Sequence, residues 1–438
     1  MQNFDYIVEY QLPNIICNDN LIEEKVNKCK DIKYYDNSNN LILYIVFDKD
    51  NDKLTHINYF HNKKIYKRDK YHYNGYLSST QNIDSSTNRV LNEVFYNKDA
   101  KIVISKFYEY KNNINKLIQL HLHDLNGNIK HIFFNEQDLF TYALNLFIKS
   151  INDNNIFIIS DKSKLLYSSA LYVKDTFLNK NISIMPVIHS THTMSNDIDN
   201  GAIKSHYKDI FNNLNKTDSI NVFSTLQKDD ILKRFNYNKL SIIAHTYFKI
   251  NNTMDYKPKK NKVIYVARFS PEKNHLGAVR IFKIVVQSIK NATLHFYGSG
   301  AEKENIRSLI YDLKLENNIF LHNYSDNIEG LLCSSELSIL TSSMEGFPLC
   351  LLESIACSCP VISYDVRYGP SEIISNNKNG FLIPHGNENM FADKIIEILS
   401  NQNLQKQMSL NAKSSFDKRF SPRVIAMQWK DKIKKFYT

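Results

Sequence analysis

The first regular pattern along the chain is a series of short apolar runs between polar turns, over residues 41–135. Within these runs, Tyr, Phe, Ile and Val alternate with polar residues, which is the two-residue period of β-strands. Three stretches, Phe47–Ile57, Phe95–Ile104 and Leu122–Ile132, share the order of strand, acidic or Asn-containing turn, and strand. The pattern predicts a β-meander of successive hairpins over residues 41–135.

From residue 136 the pattern changes to alternating helices and strands, beginning with a helix. The predicted elements are Glu136–Ile151, Ile156–Ser160, Leu165–Leu178, Ile182–Ile188, 203–214, 219–223 and 226–235. Such alternation is typical of a parallel sheet. We assign residues 136–250 to an N-terminal Rossmann-like domain and residues 1–40 to an altered or truncated start of it.

Residues 251–262 are polar and without period, and we expect a domain linker there. A second α/β series follows. Its predicted elements are Val263–Ala267, His275–Ser288, Thr293–Tyr297, Glu302–Leu313, Ile319–Leu321, Leu337–Leu340, Leu349–Cys357 and Pro360–Tyr364. We assign residues 263–420 to a C-terminal Rossmann-like domain and residues 421–438 to a closing amphipathic helix. The expected fold class is α/β, with two Rossmann-like domains facing a crevice.

The 438 residues carry a formal net charge of +10. An excess of this kind suits nucleic acid, an anionic membrane surface or an acidic polymer. The lysines are scattered among Asn and Asp without a dense basic run, which argues against nucleic acid. The chain opens without a basic and apolar leader, and no apolar run approaches the roughly 18 residues of a membrane span. We expect a cytoplasmic protein and leave open a peripheral contact with the inner membrane face.

The cysteines form no CxxC pair, and no histidine cluster stands at zinc spacing. Asp48, Asp50 and Asp52 lack the following glycine and the final glutamate of a calcium loop. We therefore predict no metal site. The six cysteines, expected as small apolar residues of a reducing compartment, are Cys17, Cys29, Cys333, Cys350, Cys357 and Cys359.

The glycines are concentrated toward the C-terminus. Gly75 and Gly127 are the only two in the first 200 residues, and each follows Asn in a hairpin-turn dipeptide. Close backbone approach to a phosphate requires glycine. A nucleotide, if bound, is therefore expected in the C-terminal half.

Two candidate phosphate-binding features follow predicted strands of that half. Arg268 and Lys273 come directly after the first strand, where ligands sit in parallel sheets. They could neutralise a diphosphate or be surface charges of a loop. Gly298 and Gly300 follow the next strand as Gly-x-Gly, a weak signal that permits close backbone approach without requiring it.

The most specific feature is the run from Glu345 to Glu353. Gly346 frees the backbone, and Pro348 suits the first turn of a helix that begins at about Leu349. The exposed N–H groups and dipole of that helix end are a good seat for phosphate. Glu353 lies among apolar neighbours and could accept hydrogen bonds from ribose hydroxyls. A further segment, Tyr364–Glu372, either lines the same crevice or is an ordinary loop.

Together, Arg268, Lys273 and the Glu345-x7-Glu353 motif resemble the retaining GT-B glycosyltransferases of the large family-four group. The resemblance covers roughly residues 180–430. The meander looks like the insertion of one subgroup, the poly(glycerol-phosphate) and poly(ribitol-phosphate) teichoic acid α-glycosyltransferases and the enzymes that glycosylate serine-rich adhesins. Ser79–Tyr108 and Val366–Ile374 look especially similar to that subgroup.

The resemblance implies a site for a UDP-sugar, used as co-substrate without cofactor or metal. Arg268 and Lys273 would bind the diphosphate, Glu345 would contact the donor sugar, and Glu353 would hold the ribose. The backbone of His322–Tyr324 would read the uracil. The full implied donor set is Arg268, Lys273, Gly298, Gly300, Asn323, Tyr324, Glu345, Gly346, Phe347, Pro348, Leu349 and Glu353.

The resemblance also implies a catalytic or sugar-binding histidine after a strand of the N-terminal domain. The segment from Val187 to His192 fits, with His189 placed best and His192 next. The implied catalytic set is Glu345, His189, His192, Arg268 and Lys273. The implied acceptor is an anionic polyol-phosphate polymer or a Ser/Thr-rich protein.

The chain departs from the family at its start, where a glycine loop is expected and no glycine precedes Gly75. This leaves an alternative function, an accessory subunit that binds acceptor and stabilises an active glycosyltransferase. A complete donor motif argues for the enzyme. The meander could join copies of the chain or bind a glycosyltransferase partner.

Overall fold

The computed structural model describes residues 21–26, 30–48, 53–112, 114–161, 163–195, 197–248 and 257–437. Contacts divide the chain into two compact units, with the boundary between Ser150 and Ile151. Cys17, Cys29, Asp50, Asp52 and residues 251–256 of the predicted linker lie outside the described residues.

The N-terminal unit is built on one antiparallel sheet of ten described strands, each paired with its neighbour in sequence. The strands are β1 (Ile22–Lys25), β2 (Ile32–Tyr35), β3 (Leu41–Phe47), β4 (Leu54–His61), β5 (Lys64–Tyr71), β6 (Leu77–Asp84), β7 (Arg89–Tyr96), β8 (Ile102–Lys111), β9 (Ile114–His123) and β10 (Ile129–Phe133). Helix α1 (Glu136–Ser150) ends the unit. The predicted meander is confirmed.

The meander begins earlier than residue 41, and α1 belongs to its unit rather than to the α/β unit that follows. Strands β1 and β2, which we assigned to the start of a Rossmann-like domain, pair with each other and with β3. Tyr34 on β2 packs into a core with Leu43, Ile57 and Tyr59, and its hydroxyl donates to Glu23 over 2.9 Å. Strands β1 and β2 are short and contain many charged and polar residues, so the apolar pattern of the sequence did not predict them.

The second unit opens with a small α/β half. Strands β11 (Asn155–Ser160) and β12 (Asn181–Pro186) pair in parallel, as do β13 (Ile220–Val222) and β14 (Leu240–Ile242). A bridge between Val187 and Asn221 links the two pairs. The helices of this half are α2 (Ser163–Thr176), α3 (Lys208–Asn212) and α4 (Thr225–Phe235).

The other half is a six-stranded parallel sheet in the order β17-β16-β15-β18-β19-β20. Its strands are β15 (Lys259–Val266), β16 (Thr293–Tyr297), β17 (Ile319–His322), β18 (Ser335–Leu340), β19 (Val361–Asp365) and β20 (Gly380–Pro384). Its helices are α5 (His275–Ser288), α6 (Lys303–Asp312), α7 (Ile328–Cys333), α8 (Leu349–Ala356), α9 (Pro370–Ile373), α10 (Glu388–Ser400), α11 (Gln402–Arg419) and α12 (Pro422–Lys434). This is the doubly wound order, whose ligand crevice lies where the order reverses, between β15 and β18.

Two details of this half differ from the sequence prediction. Strand β15 begins at Lys259, inside the predicted linker, and the Asn261 N–H donates to Glu336 Oε2 over 2.6 Å. A polar strand start carries no apolar period, which is why the pattern missed it. Helix α12 ends at Lys434, and beyond it Phe436 packs on Phe157 of the first half at 4.7 Å between ring centroids.

Candidate active site

Two loops meet where the strand order reverses, one after β15 and one after β18. Tyr265 is fully buried, and its hydroxyl donates a hydrogen bond to the carbonyl of Lys273. The Thr341 hydroxyl donates to the carbonyl of Asn274 over 2.8 Å. The first bond holds the loop after β15 to its own strand, and the second ties it to the loop after β18. The two loops thus meet at the carboxyl ends of their strands, the position where doubly wound sheets bind ligands.

A buried ion pair joins the two loops. Lys273 Nζ lies 2.6 Å from Glu345 Oε1, with 18% of the lysine side chain and 8% of the glutamate side chain exposed. The backbone of Glu345 is held as well, since its N–H donates to the Arg367 carbonyl and its carbonyl accepts from the Tyr368 N–H. Because the pair is shielded from water, removing either partner would leave an uncompensated buried charge.

Arg268 lies in the same loop as Lys273 but is turned to solvent. Its side chain is 79% exposed, and a guanidinium nitrogen lies 3.3 Å from Glu272 Oε1. The Ser270 hydroxyl donates to the same carboxylate over 2.7 Å, and this bond lowers the pKa of Glu272. An exposed pair of this kind contributes little to stability, so the guanidinium can turn toward an anion at small cost.

Gly298 and Gly300 are needed for a contact between two loops of the protein itself. A Cβ at Gly298 would stand 2.0 Å from the carbonyl oxygen of Ala267, and one at Gly300 would stand 2.2 Å from that of Phe269. The Phe269 N–H donates to the Ser299 carbonyl over 2.8 Å. This packing accounts for both glycines, and their role in donor binding stays a prediction.

The loop that carries Glu345 also forms the seam with the first α/β half. A Cβ at Gly346 would stand 2.1 Å from the carbonyl oxygen of His189. Phe347 is buried, with its ring centroid 5.8 Å from that of Phe223 and 5.9 Å from that of His245. The seam therefore places the backbone of His189 beside the residue that follows Glu345.

Helix α8 begins directly after this seam. Pro348 is its N-cap residue, and no side chain caps the first N–H groups. Leu349, the first helical residue, is 46% exposed. Uncapped N–H groups at the positive end of a helix dipole attract anions, and the binding of phosphate at this helix end stays a prediction.

Glu353 lies on α8 with no hydrogen-bond or ion-pair partner for its carboxylate among the described residues. Burial raises its pKa to about 7. Burial raises the pKa of the nearby Tyr247 to about 12, and the charge of Glu353 adds a smaller contribution. An unpartnered carboxylate that is shielded from water gains most from a ligand that donates hydrogen bonds.

His189 is placed as predicted, at the carboxyl end of β12. Its Nε2 lies 2.8 Å from Asp161 Oδ1, and its ring stacks on that of His245 at 5.5 Å between centroids. The Tyr207 hydroxyl accepts hydrogen bonds from the backbone N–H groups of His189 and Ser190, over 2.9 and 3.0 Å. The structure thus fixes both the backbone and the ring of this histidine.

His192, predicted as the second catalytic candidate, is not in the crevice. It has no exposed surface and neither ring nitrogen has a hydrogen-bond partner. Its ring packs with those of Phe211 and Tyr368, with centroids at 5.8 and 6.2 Å. Burial, with the nearby Arg234 and Lys204, lowers its pKa to about 4. The prediction fails because the loop between His189 and His192 is irregular. Closeness along such a loop does not keep the two side chains on the same face.

The predicted uracil-reading segment follows β17. Tyr324 is 74% exposed, and Asn323 accepts a hydrogen bond from Lys303 Nζ over 2.7 Å. The His322 ring stacks on the Tyr297 ring at 4.3 Å between centroids. The segment is accessible at the carboxyl edge of the sheet, and its role in base recognition remains a prediction.

The segment from Tyr364 to Glu372 supports Glu345 and joins the two α/β halves. In addition to the backbone bonds to Glu345, Arg367 Nε lies 3.0 Å from Asp230 Oδ2. The Thr225 N–H donates to Glu372 Oε1 over 2.5 Å. This favours the crevice-lining interpretation of the segment over that of an ordinary loop.

Sequence reasoning missed three residues of the first half, Asp161, Tyr207 and His245. Asp161 directly follows a predicted strand, a signal that could have marked it. Tyr207 and His245 reach His189 from other elements, and only the tertiary fold shows this. Among the described residues, no group of three or more His, Cys, Asp or Glu is placed to hold a metal ion. In the same part of the chain, no helix is both long and apolar enough to cross a membrane.

Comparison with known proteins shows what this chain is similar to. Residues 249–415 match the model described as Glycosyl transferases group 1. The chain is 29% identical over 399 residues to the poly(glycerol-phosphate) alpha-glucosyltransferase of Bacillus subtilis (strain 168), covering 87% of this chain and 56% of the relative. It is 28% identical over 388 residues to the poly(ribitol-phosphate) alpha-N-acetylglucosaminyltransferase of Staphylococcus aureus (strain COL), covering 88% of this chain and 72% of the relative. The chain thus spans little more than half the length of the Bacillus relative.

Solved structures agree with the fold. A crystal structure of a point mutant of S. aureus TarM in complex with Fondaparinux, alpha-GlcNAc-glycerol and UDP has a TM-score of 0.74 at 27% identity, over 94% of this chain and 80% of that one. The pneumococcal O-GlcNAc transferase GtfA, in complex with UDP and GlcNAc, has a TM-score of 0.76 at 19% identity, over 95% and 81%. The predicted GT-B fold, with an N-terminal β-meander, is confirmed.

Proposed function

We propose, from the premise that residues 249–415 are a glycosyl transferases group 1 domain, that this chain transfers glucose or N-acetylglucosamine from a UDP-sugar. The acceptor is a hydroxyl group of a polyol-phosphate polymer or of a Ser/Thr-rich protein. The buried Lys273–Glu345 pair at the reversal point of the sheet carries this proposal. The named activities of the teichoic acid relatives support it.

The diphosphate of the donor is neutralised without a metal. Lys273 reaches the crevice from the loop after β15, Arg268 turns in from solvent, and the N-terminus of α8 offers uncapped N–H groups. These groups stabilise the negative charge that develops on the departing UDP, which is the main electrostatic task of the reaction.

Glu345 contacts the donor sugar and stabilises its oxocarbenium-like transition state. Its carboxylate is already engaged by Lys273 at 2.6 Å, which supports an electrostatic role over that of a nucleophile. The proposed reaction retains configuration by front-face attack. The acceptor oxygen bonds to the anomeric carbon, the bond from that carbon to the phosphate oxygen breaks, and the departing phosphate takes the acceptor proton.

The nucleoside part of the donor is held by Glu353 and by the segment after β17. Ribose hydroxyls donate to the Glu353 carboxylate, which has no protein partner among the described residues. Backbone groups of His322–Tyr324 read the uracil. Both assignments rest on position, since both elements lie on the second α/β half with Lys273 and Glu345.

The acceptor side uses the first α/β half and the basic charge of the chain. A net charge of +10 suits a polyanionic polymer at the inner membrane face. Contacts between scattered lysines and such a polymer are screened by salt. Acceptor binding should therefore weaken as the salt concentration is raised from about 50 to about 500 mM, because the Debye length shortens over this range. Binding that is independent of salt would contradict this part of the proposal.

The alternative is an accessory subunit that binds acceptor and stabilises an active partner through the meander. Several relatives are named as the GtfA subunit of a peptide N-acetylglucosaminyltransferase, which favours a multi-subunit context. The intact donor pair favours catalysis, because a module that only binds acceptor gains nothing from a buried Lys–Glu pair in its crevice.

The experiment that tests the proposal is UDP release from UDP-glucose and UDP-N-acetylglucosamine. It is run with and without poly(glycerol phosphate) or poly(ribitol phosphate), and with EDTA. We expect acceptor-stimulated release that EDTA leaves unchanged, and an α-linked product by proton NMR. No release with any donor and acceptor, combined with stabilisation of a second glycosyltransferase, would support the accessory subunit instead.

A further inference from the structure

The hydrogen bond between Asp161 and His189 has a chemical consequence for the crevice. Asp161 follows β11 and His189 follows β12, and these parallel neighbours bring the two side chains to the same edge of the sheet. Asp161 Oδ1 lies 2.8 Å from His189 Nε2. A carboxylate can only accept, so the proton of a neutral His189 must reside on Nε2.

The other contacts of the His189 ring involve its face and not its Nδ1 atom. His245 covers one face of the His189 ring at 5.5 Å between centroids, with the ring planes 28° apart. Phe223 stacks behind His245 at 4.1 Å and lies 5.3 Å from His189. Among the described residues, the structure gives His189 Nδ1 no hydrogen-bond partner. The His189 side chain as a whole is 35% exposed, so the ring is open to a ligand in the crevice.

The neighbouring histidine does not compete for this role. Burial, and to a smaller extent the charge of His189, lowers the pKa of His245 to about 4, and the Asp161 charge opposes that shift. His245 is therefore neutral at physiological pH and acts as a flat packing surface. The backbone of His189 is held at Tyr207 and at the Gly346 seam, so neither the ring nor its attachment is free to move.

We propose that Asp161 is a positioning residue that fixes the tautomer of His189, so that Nδ1 presents a lone pair to a hydroxyl group of the bound substrate. The inference rests on the proposed function, because a hydroxyl-rich ligand in this crevice is what that function supplies. No group is transferred in this step: Nδ1 accepts a hydrogen bond, and Asp161 stabilises the partial positive charge that the ring gains.

The first test measures turnover and UDP affinity of single and double variants. Asp161→Ala should lower kcat by about 10-fold, with UDP affinity unchanged. The loss is smaller than the roughly 100-fold or more of a positioned acid–base group, because no proton is transferred in this step. Asp161→Asn should lose less, because its carbonyl oxygen can still accept from Nε2. The double variant Asp161→Ala/His189→Ala should be no slower than His189→Ala alone, since Asp161 acts only through the ring.

The matched control is Asp175→Ala on α2. Asp175 is 56% exposed and pairs with Lys216 at 2.6 Å, much as Asp161 is 67% exposed and pairs with His189. We expect wild-type kcat from the control. Additive losses in the double variant, or an unchanged kcat in Asp161→Ala, would overturn the proposal.

The second test needs no turnover and therefore separates this inference from the proposed function. Long-range nitrogen–proton NMR of the histidine-labelled full chain reports which ring nitrogen carries the proton. Wild-type His189 should show the proton on Nε2, and Asp161→Ala should show both tautomers. A proton on Nδ1 of wild-type His189, or the same tautomer ratio in both proteins, would contradict the assignment even if the chain were inactive.

Discussion

The two α/β halves of the second unit differ in how far the side chains that they present to the crevice are exposed to solvent. The six-stranded half offers a charge pair with 8–18% of each side chain exposed, locked by backbone bonds on both sides. The smaller half, whose β13 and β14 have three residues each, offers His189 and Asp161 with 35% and 67% exposed. A group that stabilises a fixed diphosphate benefits from rigidity, whereas a surface that admits a large acceptor has to stay open.

The largest effect should come from the buried pair. Glu345→Gln keeps the shape of the side chain but removes the charge that Lys273 faces, and we expect kcat to fall by about 10³-fold, the scale of one lost electrostatic contact to the transition state. Gln is preferred to Ala, because its amide oxygen can still accept a hydrogen bond from Lys273. Truncation to Ala would leave the buried ammonium group with neither an opposite charge nor an acceptor, at a stability cost of about 3–5 kcal/mol. Single-turnover UDP release measures the change.

The control for this variant is Glu397→Gln on α10. Glu397 pairs with Lys394 at 2.6 Å but is 44% exposed, and we expect its removal to leave turnover intact. Equal losses in the two variants would show that the buried pair has no special role.

The second effect tests whether the two halves have to touch. Gly346→Ala places a Cβ 2.1 Å from the His189 carbonyl oxygen and should push the halves apart. We expect kcat to fall by about 100-fold, since misplacement of about 1 Å costs that much, while UDP affinity changes less. Turnover and UDP titration of the same variant separate the two quantities.

Gly127→Ala is the comparison variant for the seam. Gly127 has a φ of +85° with nothing within 4 Å of an added Cβ. It should lose about 1 kcal/mol of stability from backbone strain alone, with kcat unchanged. If Gly346→Ala behaved in the same way, the seam would not position the crevice.

Glu353 gives a pH dependence that belongs to the six-stranded half. Its folded pKa of about 7 exceeds the usual value of 4.5, so the folded protein binds more protons than the unfolded chain between these pH values. Its contribution to stability is therefore present at low pH and declines as the pH rises toward 7. Ribose hydroxyls favour the charged form, so UDP should bind more tightly as the pH rises from 6 to 8, by about 10-fold.

Calorimetry in buffers of different ionisation enthalpy checks this directly. Wild-type protein at pH 6.5 should release a proton when UDP binds, and Glu353→Gln should not. Proton release that persists in Glu353→Gln would assign the titration to another group.

His192 should give the smallest effect on activity, because it lies outside the crevice. His192→Phe fills the same aromatic surroundings, and we expect kcat within about 2-fold of wild type, as for a volume-conserving core exchange. The folded pKa of about 4 lies below the usual 6.5, so wild type loses stability as the pH falls through this range, by about 2–3 kcal/mol. Thermal unfolding at pH 5 and pH 7.5 should show a smaller difference for His192→Phe, and a large loss of kcat would restore His192 as a site residue.

Much of the donor half could be predicted from sequence because its elements are long and its motif residues follow strand ends. The pattern of apolar residues predicted the strands. Because Lys273 and Glu345 each follow a strand of the same parallel sheet, the order of elements along the chain predicted that both lie at one edge of it. The small half could not be resolved so well. Strands of three residues carry little period, and the distinction between His189 and His192 depends on which way an irregular loop turns each side chain.

The remaining differences have the same physical origin. Strands β1 and β2 and the start of β15 are polar, so no apolar pattern marks them. Gly298 and Gly300 look like a phosphate loop, yet the carbonyl groups of Ala267 and Phe269 alone account for them. Asp161 and His245 reach His189 through tertiary contacts that spacing along the chain does not reveal.

The most direct test of the central claim, a UDP-sugar site in the second α/β half, is UDP titration by calorimetry. It compares wild type, Arg268→Ala and Arg307→Ala, the last an exposed arginine on α6 paired with Glu304 and used as control. The proposed site predicts that wild type and Arg307→Ala bind UDP equally and that Arg268→Ala loses binding. No UDP affinity in wild type, or equal affinity in all three proteins, would contradict it.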